Sequence, residues 1–209
     1  MSEKKRRAHD SEASRRALMD AGAALFARHG FAGTTLDMIA ARAPANKALV
    51  AYHFGSKEGL YQAILDEAVE QVLVRVGDAA SAEGKVSDRL RAHIRALAIA
   101  LADVPGLCAM LVTEYATGGQ QDRPGPMASL LRLYQTTDAL VREGIESGVF
   151  RRVDSQVVHL SFTGSFVFFV LTAGYRQRMD AEGRWPFTRP ETEAFADFVA
   201  DGVIRSLSA

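Results

Sequence analysis

The stretch TTLDMIAARAPANKALVAYHFGSK, from Thr34 to Lys57, contains two short helical patterns separated by a turn. Thr34 and Asp37 have the spacing of a capping box with Asp in place of Glu, which predicts where the first helix begins. Pro44 disfavours α geometry at Ala43, so this helix is expected to end there. The first pattern therefore predicts one short, capped helix.

A second helix is predicted from Asn46, which can cap it, to about His53. Two short helices joined by a tight turn are typical of a helix-turn-helix. In the second helix, Ala48 and Ala51 allow close approach to base edges or a thymine methyl group, and Lys47 can reach guanine O6/N7 or a phosphate. The pattern therefore indicates double-stranded DNA as the partner.

Lys57 lies in the first turn of the next predicted helix, where a cation opposes the helix dipole. A phosphate close to the ammonium group would explain this position. Lys57 is therefore a candidate phosphate contact.

The segments LFARHGFAGTTLDMIAARA (25–43) and NKALVAYHFGSKEGLY (46–61) resemble the DNA-binding domain of TetR/AcrR-type transcriptional regulators, over about residues 14–65. The glycine turn, Thr-Thr, Ile-Ala, Tyr-His-Phe and Lys-Glu-Gly-Leu occur in that family's order and spacing. The family usually has Gly where this chain has Pro44, so the turn must adopt another conformation. The resemblance implies that Lys47, Ala48 and Ala51 face the bases. It also implies phosphate contacts by Thr34, Thr35, Tyr52, His53 and Lys57.

The formal net charge of the 209 residues is zero, but residues 1–60 contain ten Lys/Arg against six Asp/Glu and the remainder fifteen against nineteen. A basic end is expected of a nucleic-acid-binding segment joined to a solvated body, although chance scatter of charges gives the same counts. Residues 1–12, with Lys4 to Arg7, are predicted to be a disordered basic arm that solubilises the chain or reaches DNA.

Helical periodicity predicts an all-α protein of about nine helices and no strand. An N-terminal three-helix helix-turn-helix domain is expected over residues 13–60, its first helix ending at Gly30. A C-terminal helical bundle, the effector-binding and dimerisation domain, is expected over 61–209. The most apolar helix is predicted from Asp154 or Ser155 to Tyr175, with a polar loop after it.

The sequence lacks the GxxxxGK, GxGxxG, HExxH and GxSxG motifs, and its five histidines lack metal-ligand spacing. We therefore expect no enzyme activity, no cofactor and no metal. Cys108, the single cysteine, excludes an intramolecular disulfide and fits a reducing cytoplasm; a buried inert thiol is preferred to a redox sensor.

The apolar run from Val157 to Tyr175 is long enough to raise the question of a membrane span. Ser161, Thr163 and Gly164 are among the small and polar residues that interrupt it. We expect a largely buried helix and no membrane partner.

Apolar stripes with a few polar groups in the predicted bundle can line an effector cavity, although core packing explains the same pattern. The candidates are Cys108, Met110, Glu114, Tyr115, Tyr134, His159, Phe162 and Phe166. A homodimer interface is expected at Gly164, Ser165, Phe195, Phe198, Val199 and Gly202, since small residues allow close helix contact and the last helices carry excess apolar surface. The family resemblance implies the same: two-fold dimers whose bodies bind small effectors.

The resulting hypothesis is a sequence-specific DNA-binding transcriptional regulator, a repressor released from a palindromic operator by a small-molecule effector. Two alternatives remain open at the level of sequence. One is a helical ligand-binding or interaction protein whose helix-turn-helix no longer binds DNA, which Pro44 motivates. The other is a ligand-dependent activator.

Overall fold

The computed structural model describes residues 3–43, 46–116, 127–184 and 186–208. Within these ranges the chain forms ten α-helices and no β-strand, so the all-α class is confirmed, with one helix more than expected. The helices are α1 (Glu3–Gly33), α2 (Leu36–Arg42), α3 (Lys47–Phe54), α4 (Lys57–Ala80), α5 (Val86–Asp103), α6 (Leu107–Ala116), α7 (Met127–Glu146), α8 (Ser155–Leu171), α9 (Ala173–Ala181) and α10 (Thr192–Leu207).

Helix α1 begins well before the predicted first helix. Residues 3–12, expected to belong to a disordered arm, are helical and continuous with the segment that follows. Between Glu3 and Gly22 the sequence has neither Gly nor Pro and is rich in Lys, Arg, Glu and Ala, which are strong helix formers. The structure therefore differs from the expectation of disorder for these residues.

The last turn of α1 is broken at Gly30, whose φ of 69° and ψ of 175° are not helical. The chain turns back at the predicted position, and the ring of Phe31 lies against Phe26 and Tyr61, with centroid distances of 5.9 and 5.1 Å. The rings of Phe26 and Tyr61 are 5.0 Å apart, edge to face. This aromatic cluster joins the end of α1 to α4.

Helix α2 begins one residue later than the sequence suggested. The side chain of Thr35 is the cap and accepts a hydrogen bond from the backbone N–H of Met38 at 3.3 Å. Thr34, the expected cap, is fully buried, and its hydroxyl donates to the carbonyl of Gly30 at 2.8 Å. The hydroxyl of Thr34 therefore closes the turn after α1, and the side chain of Thr35 caps the start of α2.

Helix α3 is capped as predicted, since the side chain of Asn46 accepts a hydrogen bond from the backbone N–H of Ala48 at 2.9 Å. Helix α2 also ends as predicted, with Ala43 as its C-cap. Pro44 and Ala45, which join the two helices, lie outside the described residues.

The chain divides into two compact units. The first unit comprises Met1–Ala68 and Pro105–Pro126, and the second comprises Val69–Val104 and Met127–Ala209. Helix α6, which was expected in the C-terminal domain, therefore belongs to the first unit. A Cβ atom on Gly106 would lie 2.3 Å from Cβ of Ala27, so the chain before α6 approaches α1 closely at a position that only Gly can occupy.

In the second unit, α5 packs against α7, α8 and α10. The predicted stripe of α5 is buried, including Leu90, Ile94 and Leu97. Helix α10 buries the face that contains Ala196 and Ala200 and leaves Phe198 72% exposed. The apolar face that the sequence showed on α10 is thus only partly used within one chain.

The predicted long helix from residue 155 to 175 is two helices, because α8 ends at Leu171 and α9 begins at Ala173. Their axes differ by 41°. The hydroxyl of Thr172 donates to the carbonyl of Phe168 at 2.7 Å, a type of hydrogen bond that often bends helices. Helix α9 occupies much of what was expected to be a polar loop.

The helices of the described residues can be compared with the length and hydropathy that a membrane span requires. Among them, no single helix is both long and apolar enough to cross a bilayer. Within the apolar run itself, Phe162 and Phe166 are buried in the protein core.

Replacement of Gly30 by Ala should destabilise the folded protein. The observed φ and ψ lie in a region that is essentially restricted to glycine, and a Cβ there costs on the order of 1–3 kcal/mol. Thermal denaturation at one fixed protein concentration measures the effect. Gly77→Ala is the matched control: Gly77 lies inside α4 with open space around its Cβ position, so this change should stabilise by about 0.5–1 kcal/mol. Equal midpoints for the two variants would contradict the assignment of strain to Gly30.

Candidate nucleic-acid interface

Helix α3 offers an almost completely exposed face. Val50 is its one buried residue, while Lys47, Ala48, Ala51 and Tyr52 are exposed, Tyr52 to 75%. These four positions are separated by one, three, four or five residues, so they share one side of the helix. The structure therefore brings together the residues that were predicted to face the bases, with a tyrosine beside them.

His53 lies at the edge of this face and is held by α1. Its Nε2 is 3.0 Å from the hydroxyl oxygen of Ser14, and its ring is edge-on to Tyr52 at a centroid distance of 4.9 Å. The guanidinium group of Arg15 lies 5.4 Å from the ring centre of Phe54, the last residue of α3. Two side chains of α1 thus contact the C-terminal end of α3.

Thr34 and Thr35 were both predicted to contact phosphates. Thr35 is exposed and lies at the start of α2, so its position is compatible with that prediction. The side chain of Thr34 has no exposed surface, and its hydroxyl donates to the carbonyl of Gly30. This placement argues against a direct phosphate contact by Thr34, whose role is to close the turn after α1.

Lys57 was also predicted to contact a phosphate, and the structure gives its ammonium group other partners. Nζ donates to the carbonyl oxygens of Phe31 at 3.1 Å and Thr34 at 3.0 Å, and lies 4.2 Å from the ring centre of Phe31. A cation here neutralises carbonyls at the end of α1 and the turn after it. Lys57 therefore links the start of α4 to the turn after α1 through two of its three N–H donors, and the predicted phosphate contact stays a prediction.

The ion pair between Lys47 and Asp37 joins the two helices of the motif. Asp37 was interpreted only as part of a capping box, and the contacts of Ser14 and Arg15 with α3 were not foreseen. Helical periodicity shows which residues share a face but not which faces meet, and Ser14 and His53 are 39 residues apart. No local signal could have identified these partners.

Comparison with known proteins agrees with this geometry. A model described as bacterial regulatory proteins of the tetR family matches residues 18–64, and one described as a tetracyclin repressor-like C-terminal domain matches residues 83–169. The HTH-type transcriptional repressor SCO4008 of Streptomyces coelicolor is 34% identical over 143 residues, which cover 68% of this chain and 70% of that protein. The chain belongs to the TetR family.

Solved structures show the same fold for this TetR-family chain. A tetR-family regulatory protein from Rhodococcus RHA1 has a TM-score of 0.76 at 20% identity, covering 94% of this chain and 97% of that one. FadR from Bacillus subtilis, solved in complex with stearoyl-CoA, has a TM-score of 0.74 at 17% identity, covering 92% and 98%. The chain is a DNA-binding transcriptional regulator.

The eight effector-site candidates fall into two groups. Cys108, Met110, Glu114 and Tyr115 lie on α6 in the first unit, whereas Tyr134, His159, Phe162 and Phe166 lie on α7 and α8 in the second. From the sequence, all eight residues were expected to line one cavity. Each group has to be assessed within its own unit.

On α6, the candidates have mainly packing roles. Cys108 and Met110 are buried, and burial raises the pKa of the Cys108 thiol to about 11, so the reactive thiolate is disfavoured. Burial, and secondly the charge of Glu114, raise the pKa of Tyr61, whose hydroxyl also lies 3.4 Å from the carbonyl of Met110. The carboxylate of Glu114 thus has the hydroxyl of Tyr61 as a hydrogen-bond partner. Tyr115 remains 56% exposed.

In the second unit, the candidates surround a chain of buried polar groups. Nε2 of His93 is 3.0 Å from the hydroxyl oxygen of Thr137, which is 2.9 Å from Nδ1 of His159. The rings of Tyr134 and Phe162 are edge-on to His159 at 5.7 and 5.3 Å. His93 and Thr137 are fully buried, and sequence reasoning missed both as members of this cluster.

The hydroxyl of Tyr134 belongs to a second group of polar side chains beside the first. It lies 3.2 Å from the hydroxyl of Ser155, which in turn donates to Asp138. Phe166 extends the aromatic side, with its ring centre 6.2 Å from that of Phe162. The four second-unit candidates therefore belong to one continuous polar and aromatic cluster.

Burial lowers the pKa of both imidazoles to about 4, and for His93 the nearby His159 is a second cause. Both rings are therefore neutral near pH 7 and can each donate one hydrogen bond and accept another. The two neutral imidazoles and the Thr137 hydroxyl between them therefore form an uncharged polar core.

The dimer candidates lie on α8 and α10. Gly164, Phe198 and Gly202 are exposed, while Ser165, Phe195 and Val199 are partly buried. Phe195 stacks on Phe169 at a centroid distance of 4.4 Å. Exposed apolar side chains near these positions form what we term the apolar face: Val157, Leu160, Phe168, Leu171 and Phe198, each 42–72% exposed.

Acidification should destabilise the protein through His93. Because its pKa is lowered on folding, the folded state loses stability as pH falls from the ordinary histidine value of about 6.5 toward about 4, a loss on the order of 3 kcal/mol. We expect His93→Gln, which keeps a polar side chain that does not titrate, to show a shallower decline of the thermal midpoint between about pH 7 and about pH 5.

His29→Gln is the control, because His29 is an exposed histidine of α1. Its midpoint should follow pH as the wild type does. Parallel curves for wild type and His93→Gln would contradict the prediction.

Proposed function

We propose that this regulator binds a palindromic double-stranded operator as a homodimer, represses transcription there and is released by a small-molecule effector in the cytoplasm. The observation that carries the proposal is the exposed face of α3, where a cation, two small residues and a tyrosine are free of the protein core. This exposure favours DNA binding over a helix-turn-helix that has lost it. SCO4008, which aligns with 68% of this chain, is named a transcriptional repressor.

The proposed contacts follow from the side chains of α3. Ala48 and Ala51 let the helix backbone approach base edges, and either methyl group can contact a thymine methyl. Lys47 can donate to guanine O6/N7, and Tyr52 and Thr35 to phosphate oxygens. In a two-fold dimer the two α3 helices would enter major grooves about 34–36 Å apart, which requires a palindromic operator.

The effector is proposed to bind in the second unit, at the cluster of Tyr134, His159, Phe162 and Phe166. Hydroxyl and neutral imidazole groups among aromatic rings suit an apolar molecule with a few hydrogen-bonding groups. FadR shows that a protein of this fold can hold a ligand. Because α4 begins in the first unit and ends in the second, a ligand that favours one arrangement of the second unit can change operator affinity through α4.

The homodimer is proposed to form through the apolar face. Phe168 and Phe198 are 70% and 72% exposed and lie on neighbouring helices of the second unit, which contact each other. Large exposed apolar side chains clustered in this way mark interaction surfaces. A second copy of the same face would cover them and would generate the two-fold symmetry that the operator requires.

Lys47→Ala should weaken binding to the intergenic DNA upstream of the gene and make it less sensitive to salt. If the ammonium group replaces one counterion, the slope of log K against log salt becomes shallower by about 0.9. Fluorescence anisotropy over a series of KCl concentrations measures both. Lys85→Ala, an exposed lysine of the second unit, is the control and should leave the slope unchanged. An unchanged slope for Lys47→Ala would remove Lys47 from the interface.

Phe198→Glu should raise the dimer dissociation constant by about tenfold or more, because each subunit would place a carboxylate against an apolar surface. Analytical ultracentrifugation over a concentration series gives this constant. Leu131→Glu, at a half-exposed leucine of α7, is the control and should leave the dimer intact. If Phe198→Glu remains as tightly dimeric as the control, the interface lies elsewhere.

A further inference from the structure

The beginning of α3 carries an ion pair between the two helices of the motif. Lys47 is the first residue of α3, and its Nζ pairs with a carboxylate oxygen of Asp37, in the first turn of α2. The two side chains are 54% and 73% exposed. The pair therefore lies at the surface that, in the proposed function, faces DNA.

Folding stability does not account for this pair. Exposed ion pairs contribute little to stability, since solvent screens them and two long side chains lose freedom. Each helix is also held independently: Ile39 and Val50 are buried, and Thr35 and Asn46 supply the caps. The main effect of the pair is therefore on the charge that the surface presents to DNA.

The position of Asp37 places a negative charge where DNA would supply one. The N-terminus of a helix carries partial positive charge, and the first turn of α3 contains no acidic residue of its own. Asp37, on α2, supplies an anion that occupies the ammonium group of Lys47. Its carboxylate thus takes the place of a phosphate oxygen or of guanine O6/N7.

We propose that Asp37 is a specificity-determining residue, whose carboxylate competes with DNA phosphates for Lys47 and so weakens sequence-independent binding. Phosphates offer negative charge at every position along the duplex, so this competition for Lys47 lowers affinity at any sequence. At the operator this loss of affinity is offset. There Lys47 donates to guanine O6/N7, and the Asp37 carboxylate can accept a hydrogen bond from cytosine N4. The inference rests on the proposed placement of α3 in the major groove.

The test compares wild type with Asp37→Asn on two duplexes of about 30 base pairs: one of random sequence and one that the wild-type protein enriches from a random library. On the random duplex we expect the affinity of Asp37→Asn to rise several-fold and the slope of log K against log salt to steepen by up to about 0.9. On the enriched duplex the gain should be smaller. The ratio of the two affinities should therefore fall.

Asp20→Asn is the matched control, because it makes the same change of charge. It removes an exposed ion pair of α1, in which Arg16 lies 2.9 Å from Asp20. The control should leave the affinity ratio as in wild type. Equal changes for Asp37→Asn and Asp20→Asn would reduce the effect to net charge and overturn the inference.

A Lys47→Ala background shows whether Asp37 acts through Lys47. In that background Asp37→Asn should bring a smaller gain on the random duplex, and a full gain would overturn the proposed competition. Thermal denaturation verifies that each variant is folded, with Asp37→Ser as a second substitution at the same position. Failure of the wild type to enrich any duplex would instead refute the proposed function.

Discussion

The contact between Lys57 and the turn that follows α1 joins the start of α4, the helix after α3, to the end of α1. One ammonium group binds the carbonyl oxygens of Phe31 and Thr34 and lies over the ring of Phe31. Phe31 in turn packs on Phe26 and Tyr61, which connects the start of α4 with the end of α1. These charge-assisted and aromatic contacts add to the apolar core of the first unit, in which Ile39 and Val50 of the helix-turn-helix are buried.

This arrangement separates residues that position the motif from residues that are free to contact DNA. Lys57, Thr34 and His53 all have protein partners, while Ala51 and Tyr52 on α3 point to solvent. A short helix that buries only Val50 has little packing energy to fix its direction. Side chains on neighbouring helices must therefore fix the direction of α3. This explains why so many polar residues near the motif have protein partners.

The second unit uses polar groups in a different way. His93, Thr137 and His159 form a hydrogen-bonded chain in a core of aromatic rings, and burial keeps both imidazoles neutral. Buried polar groups cost free energy unless they are paired, so such a chain allows only a few packing arrangements of α5, α7 and α8. Hydrogen bonding therefore adds to apolar packing in fixing how these three helices meet.

The sequence by itself determined the family, the helical class and several helix ends, because caps, positive-φ glycines and apolar periodicity act within a few residues. Gly30 and Asn46 stand where they were predicted to end and begin helices. Only the tertiary structure decided that Lys57 binds carbonyls, that α6 joins the first unit and that Asp37 pairs with Lys47. These partners come from separate helices, and local spacing contains no information on which helix faces meet.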